Sequence, residues 1–450
     1  MENKVSQVRE HVLGQLESGK LKAGDKLPGA REVARQVKVS FAKAQQTLDL
    51  LVKDGILESF PRKGTFVQRG WAERILQQNI SLFAPEACLP WVAEFRRQLA
   101  ARLPDLRVAT GFPKAVFEIR TTLQVQAERD AYLDLREVFD ACYPDKTAFF
   151  THPFKTFYMD GRLPGLPLIF SPRVMFFNPE LLANAGCDLP RAGWTWDDFL
   201  ECARRVRANA PTAGIINWST ESFVFMNVIF RAGGCLIVPD ADDPVRIDHP
   251  ATRRGVRLFR ELRDAVGLGP GGACVEFPQP SFLEGKMAFN LASREDLLPR
   301  LEAAGMDNWG TAPLPLIEGG VDITAQATDL LCVRKSCVDM AAVAEMVKLL
   351  LSEEFQDYLG KVKYGIPIRK SSAMKSIDLE DPRDTLFLTE SAKITAEYNV
   401  DSPELAGLVV EGIRQILESD VDIDASTSRL ADAVRTFLSV RRNKARSARK

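Results

Sequence analysis

The sequence predicts a multidomain chain, a small helical head closed by a two-stranded wing and then a much larger α/β body. Three observations carry that reading. Within residues 1–70, three amphipathic helix patterns precede two short β patterns. From residue 79 onward, helix and strand signals alternate, which is the mark of α/β architecture. Charge divides along the same line: residues 1–70 hold 13 Lys and Arg against 8 Asp and Glu, whereas residues 71–440 hold 40 against 52. A basic head on an acidic body suits a nucleic-acid contact confined to one end.

In the head, Val5, Val8, Val12 and Leu16 recur at spacings of three and four, one face of a helix ending near Gly19. The run KLKAGDKLPGA, with two glycines and a proline, predicts a connection. A short second helix turns Val33, Ala34 and Val37 inward. Val39 and Ser40 then make a turn, and Ser40 is placed to cap a third helix. There Ala44, Thr47, Leu48, Leu51 and Val52 form the buried stripe and Gly55 the stop. Strands at 56–59 and 65–68 are joined by the basic turn Pro61-Arg62-Lys63-Gly64.

A helix, a helix-turn-helix and a wing make a DNA-reading layout, whose third helix enters the major groove. Its outward residues are Phe41, Ala42, Lys43, Gln45 and Gln46. Gln pairs with adenine, Lys reaches guanine or phosphate, and Phe41 suits a thymine methyl group. Arg31, Arg35, Arg62 and Lys63, with Ser40 and Gly64 beside them, are placed for backbone phosphates, which position the module without reading sequence. The Leu27-Pro28 pair with Arg31, the Val39-Ser40 turn, the L-x-x-D-G-I step and the G-T-F-V wing occur in order, and by these the head resembles the GntR family of bacterial regulators. Gly29 and Ala30 stand where that family has Ser-Glu, and Phe41 where it has Arg, so a different operator sequence is expected.

A polar linker, 71–78, leads to the body, 79–440, and a basic tail, 441–450, with six Lys and Arg and no acid. In order, 80–83 reads as a buried strand and 181–185 as the end of a helix stopped by Gly186. Thr195 with Asp198 is a capping box. Residues 215–218 read as a strand, and 251–262, 341–351 and 353–359 as helices. The tail reads as a disordered, solvated end.

Several function classes fall away. No apolar run approaches the ~20 residues of a membrane span, and MENKVSQVREHVLG lacks an apolar signal core, so a cytoplasmic protein is expected. Eight cysteines form no C-x-x-C, and His11, His152 and His249 lie far apart. No metal, no cofactor and no catalytic role is therefore expected. The glycine cluster at 267–272 lacks a following Lys-Ser/Thr and reads as a loop.

The segments DGRLPGLPLIFSPRVMFFNPELLANAG, WTWDDFLECARRV, FMNVIFRAGG, FLEGKMAFN, WGTAPLPL and YGIPIRKSSA follow one another through the body. In that order they resemble the sugar-type extracellular solute-binding proteins of bacterial uptake systems. The resemblance implies a two-lobed α/β, periplasmic-binding-protein-like domain with its ligand in the inter-lobe cleft. Such sites combine aromatic faces with a few polar groups, and Trp91, Trp218, Asn290, Arg294 and Asp329 are the candidate contacts, with Trp196 assigned to packing. Together the two resemblances imply a dimeric, ligand-responsive transcription regulator, by family habit a repressor of carbohydrate uptake or metabolism genes. Its partners would be a double-stranded DNA operator, a sugar or oligosaccharide effector, and a second copy of itself. The alternative is a MocR-like regulator with a pyridoxal-phosphate aminotransferase body, although no cofactor-lysine segment stands out in this sequence.

Overall fold

Three helices and a hairpin make the head: α1 (Lys4–Glu17), α2 (Ala30–Val37), α3 (Phe41–Lys53), β1 (Leu57–Phe60) and β2 (Gly64–Val67). The structure, a computed structural model, describes residues 4–17, 19–72, 80–83, 90–102, 108–110, 116–155, 157–159, 161–217, 222–239, 241–267, 280–337, 339–395 and 399–447. In the head, Val12, Leu13 and Leu16 of α1 meet Leu48 and Leu51 of α3, with Leu27, Ile56, Leu57 and Val67 completing one core. Each such side chain contributes about 1.5–3 kcal/mol on burial. Trp71 and Ala72 pack against it from the start of the expected linker. Lys38 closes α2 in the left-handed conformation, φ 56°, and turns the chain into α3. An Arg9–Asp54 ion pair of 2.6 Å ties α1 to the end of α3. The strands pair antiparallel from Leu57↔Val67 to Phe60↔Gly64, within one residue of the sequence reading. Gly64 has φ +109°, a backbone conformation that L side chains rarely adopt, so the wing turn favours glycine.

The chain divides into two units, Met1–Ile119 with Cys332–Met340, and Arg120–Leu331 with Ala341–Lys450. In the first, β3 (Ile80–Phe83) lies parallel to β4 (Val108–Thr110) and β5 (Phe117–Arg120). Helix α4 (Val92–Arg102) buries Val92, Phe95 and Leu99. Glu118, fully buried, pairs with Arg334 at 2.8 Å.

In the second unit, α5 (Thr122–Glu128) opens on a capping box between Thr121 and Gln124. Then β6 (Leu166–Pro167), β7 (Ile169–Pro172) and β8 (Val174–Phe177) follow almost without a break, yet belong to three different sheets. β8 sits in the order β11-β8-β10-β9, with β9 (Gly214–Ile216), β10 (Met287–Ala292) and β11 (Gly310–Ala312). It is antiparallel to both neighbours. β7 pairs antiparallel with β12 (Thr324–Ala327), flanked by β14 (Ile366–Pro367) and β15 (Ile394–Thr395). β13 (Leu330–Val333) begins by pairing with β6. Two runs of chain therefore change sheet in midcourse, one through Arg173 and one through Asp329. They are clamped together, since Arg173 N–H donates to the Thr324 hydroxyl at 3.0 Å and that hydroxyl donates back to Arg173 O at 2.8 Å.

Helices α6 (Pro179–Asn184), α7 (Trp196–Asn209), α8 (Ser222–Arg231) and α9 (Pro250–Ala265) build an extensive core. In it Trp194, Trp196, Phe199, Phe225, Phe259 and Phe289 are buried. Thr195 Oγ1 accepts from Asp198 N at 3.1 Å, the cap expected of α7. Helix α10 (Arg294–Ala304) follows β10, and α11 (Pro403–Glu418) and α12 (Ile423–Ser447) close the chain onto the same core. The basic end is not disordered over 441–447, because α12 runs through it. Arg435 anchors the helix to Asp243 and Asp248 at 2.8 and 3.0 Å, and Arg441 pairs with Asp401. Among the described residues, no helix is long and apolar enough to cross a membrane, and no His/Cys/Asp/Glu group is placed to hold a metal.

Candidate DNA-reading face and effector site

The reading face follows from how α3 is capped and packed. Ser40 Oγ accepts from Lys43 N at 3.4 Å, so Ser40 starts the helix. Burial of Ala44, Thr47, Leu48 and Leu51 then turns Phe41, Lys43, Gln45 and Gln46 outward, all exposed, Phe41 at 51%. Gln45 is engaged with Asp49 at 2.9 Å. The Arg31 guanidinium lies 5.8 Å from the Phe41 ring centroid, which joins α2 to the start of the reading helix. Arg35 is exposed but forked onto Glu32 at 2.6 and 3.0 Å, and that hydrogen bonding holds the Glu32 carboxyl below its ordinary value. At the wing tip Arg62, at φ 62°, and Lys63 are exposed beside Gly64.

The five expected effector contacts fare differently. Trp218 lies outside the described residues. Trp91 is 1% exposed, edge-on to Phe95 with centroids 6.0 Å apart, so it packs α4 rather than facing a solute. Arg294 is a second correction. It is fully buried, pairs with Asp384 at 2.9 Å and donates to Gly365 O at 2.6 Å and Ser376 O at 2.9 Å, so four of its five N–H groups are engaged within the fold. Asp329 sits where β12 passes to β13 and accepts a hydrogen bond from the Tyr364 hydroxyl. Burial raises its carboxyl to about 6 against the lowering effect of that bond. Glu295 beside it is raised to about 8, first by burial and then by the charge of Asp296.

Asn290 is fully buried on β10, and among the described residues neither its Nδ2 nor its Oδ1 has a hydrogen-bond partner. Gln326, on β12 opposite Pro172, is in the same state at Nε2 and Oε1. Buried carboxamides are ordinarily paired, so four such atoms on strands next to the sheet-changing runs mark places for polar partners. Sequence reasoning missed Gln326. The signal was one polar side chain in a stretch of small residues, Ala325-Gln326-Ala327.

Residues 105–357 match the family described as bacterial extracellular solute-binding protein, and residues 4–67 match bacterial regulatory proteins, gntR family. A curated relative, the sn-glycerol-3-phosphate-binding periplasmic protein UgpB of Agrobacterium fabrum, is 22% identical over 292 residues, 61% of this chain and 66% of that protein. The chain thus spans just under two thirds of that relative's length. Among solved structures, an ABC transporter solute-binding protein from Thermotoga lettingae bound with alpha-D-tagatose has TM-score 0.69 at 13% identity, covering 80% of this chain and 100% of that one. UgpB from Mycobacterium tuberculosis in complex with glycerophosphocholine has TM-score 0.67 at 16% identity, covering 81% and 99%. These likenesses show the fold, a two-lobed α/β solute-binding body behind a winged head. They set aside the aminotransferase-type body held as the alternative, because the solute-binding match occupies the part of the chain where that fold would have to lie. The chain belongs to the bacterial extracellular solute-binding protein family and carries, at residues 4–67, a head of the gntR family of bacterial regulatory proteins.

Proposed function

We propose that the protein is a one-component transcription regulator that couples a solute bound in its body to the affinity of its head for an operator. In this reading it is a cytoplasmic homodimer on double-stranded DNA, repressing genes of carbohydrate uptake or metabolism. The observation that carries the proposal is the joining, in one chain, of a gntR head with a solute-binding body. Both are binding families, which supports ligand sensing over catalysis.

Phe41, Lys43, Gln45 and Gln46 are the proposed base readers. Arg31, Arg35, Ser40, Arg62, Lys63 and Gly64 are the proposed phosphate contacts, Arg35 after leaving Glu32. In the body, Asn290 and Gln326 are proposed to meet solute hydroxyls and Trp218 to stack on a ring, while Asp329 and Tyr364 fix the return crossing. The sugar class is supported by the tagatose in the Thermotoga lettingae neighbour. A second class, a glycerol phosphate, is favoured by the name of the curated relative and by the glycerophosphocholine of the Mycobacterium tuberculosis neighbour.

The test is a thermal-shift screen of the full chain against mono- and oligosaccharides and sn-glycerol 3-phosphate, then operator binding with and without each hit. Ligand at 100 times its Kd adds about 2.7 kcal/mol to the body. A tenfold change in operator affinity needs only about 1.4 kcal/mol of differential binding. Silence across the screen, or equal affinity for promoter fragments and bulk DNA, overturns the reading.

A further inference from the structure

Beyond the effector and DNA contacts, we propose that Cys187 and Cys202 form an oxidant-sensitive thiol pair in the second unit, which a peroxide converts to a disulfide within the chain. The pair is set by how two helices meet. Helix α6 stops at Gly186, which stands in the left-handed region at φ 72°. The chain folds back there, with Gly186 N–H donating to Ala183 O and Cys187 N–H to Leu182 O, both at 2.9 Å. Ala185, Gly186 and Cys187 then step along α7. Asn209 Nδ2 donates to Ala185 O at 3.1 Å, Arg205 Nη1 to Gly186 O at 2.9 Å, and Cys187 Sγ to Cys202 O at 3.6 Å. Residues 209, 205 and 202 are four and three apart and so share one side of the helix. The register that makes the first two contacts also brings the thiols together.

The two thiols are not equivalent. Cys202 belongs to the buried stripe of α7, with Phe199, Ala203 and Val206, and is 8% exposed. Burial first, and then the Cys187 thiol beside it, push the Cys202 thiol well above its ordinary value. Cys187 is half-buried at the edge of the same core. A small oxidant therefore meets Cys187 first, and Cys202 is the thiol that resolves. The Cys187 thiolate takes one oxygen of hydrogen peroxide as the O–O bond breaks, and the released hydroxide leaves as water with the proton the thiol gave up. The product is a sulfenic acid. The Cys202 sulfur then attacks that sulfur and passes its proton to the departing hydroxyl. The S–O bond breaks, the S–S bond forms and a second water leaves. Two thiols have lost two hydrogens, and one peroxide has become two waters. The chemistry asks nothing of the head or of a bound solute.

The new bond closes residues 188–201 into a ring. Within it Trp194 Nε1 donates to Pro313 O at 2.7 Å, and Trp196 N–H to Leu316 O at 2.8 Å. The cross-link thus restrains local opening where α7 begins and where the segment after β11 lies against it. In a reducing compartment such a bond is transient, which suits a sensor of oxidant rather than a permanent staple.

Peptide mapping by mass spectrometry of the full, reduced chain tests this, after graded hydrogen peroxide and alkylation. A linked Cys187–Cys202 peptide is expected, reversed by dithiothreitol. Cys202→Ala should leave Cys187 as a sulfenic acid that dimedone traps, and Cys187→Ala should slow oxidation of Cys202 about tenfold or more. The linked peptide is read on the unaltered chain, so the test does not hang on either variant folding. Sulfinic acid at Cys187 without a linked peptide, or a Cys187 bond to another cysteine or to a second chain, overturns the proposal. So do two thiols still open to alkylation at peroxide excess, or a Cys202 that oxidises as fast without Cys187.

Discussion

Arg294 and Asp384 are 0% and 5% exposed, and a buried pair of this kind answers to what is left behind when one partner goes. Arg294→Met strands a carboxylate in the interior, and the body is expected to lose about 3–5 kcal/mol, read as a lower urea midpoint. Replacing both with apolar residues should restore much of that loss, which a role in solute contact would not predict. On the reading face, Gln46→Ala should cost about 1–3 kcal/mol on the cognate operator and flatten preference at one base pair. Lys63→Ala should instead weaken cognate and random DNA alike and lower the salt slope by about 1. Acid–base behaviour belongs to Asp329 and Glu295, whose carboxyls are raised from 3.8 and 4.5 to about 6 and about 8. A raised carboxyl binds its proton more tightly folded than unfolded, so its stabilising contribution is complete below the unfolded value and disappears as pH climbs through the folded one. The thermal midpoint of the body should accordingly fall between about pH 4 and pH 8 through these groups. Asp329→Asn, which still accepts from Tyr364, should flatten that slope.

Elements obey the same physics with more redundancy. Ser40→Ala removes the cap of α3 and should cost about 1 kcal/mol, seen as faster amide exchange in the first turn of that helix and weaker operator binding. The helices of the head and α6, α7 and α9 were legible in the sequence because their apolar stripes and caps are local signals. Ser40, Thr195 and Gly186 each name a boundary within a few residues of themselves. What escaped was set at a distance. Arg294 reads as a candidate contact for a solute hydroxyl until Asp384, ninety positions on, is brought against it. The end of α12 reads as a loose basic tail until Asp243, Asp248 and Asp401 supply its anchors. Trp91 reads as a candidate cleft contact after the first strand, and its packing on Phe95 is not visible in the sequence. Gln326 carries too little pattern around it to stand out.

For the whole molecule, a twofold assembly on an operator should protect two half-sites about 10–10.5 base pairs apart, centre to centre, in a nuclease footprint. A single protected half-site at saturating protein would rule out the dimer. The unit that starts at the amino end is interrupted, because Cys332–Met340 must come back to complete it. The head has no such debt, since its core is finished by Ala72. During synthesis roughly 210 residues separate Ile119 from Cys332, about 10–40 s of elongation at ~5–20 residues per second. A nascent chain thus owns a finished reading head well before the first sheet of its sensor closes. On the proposed function, a premature stop in that interval would leave a fragment able to bind DNA with no effector to govern it.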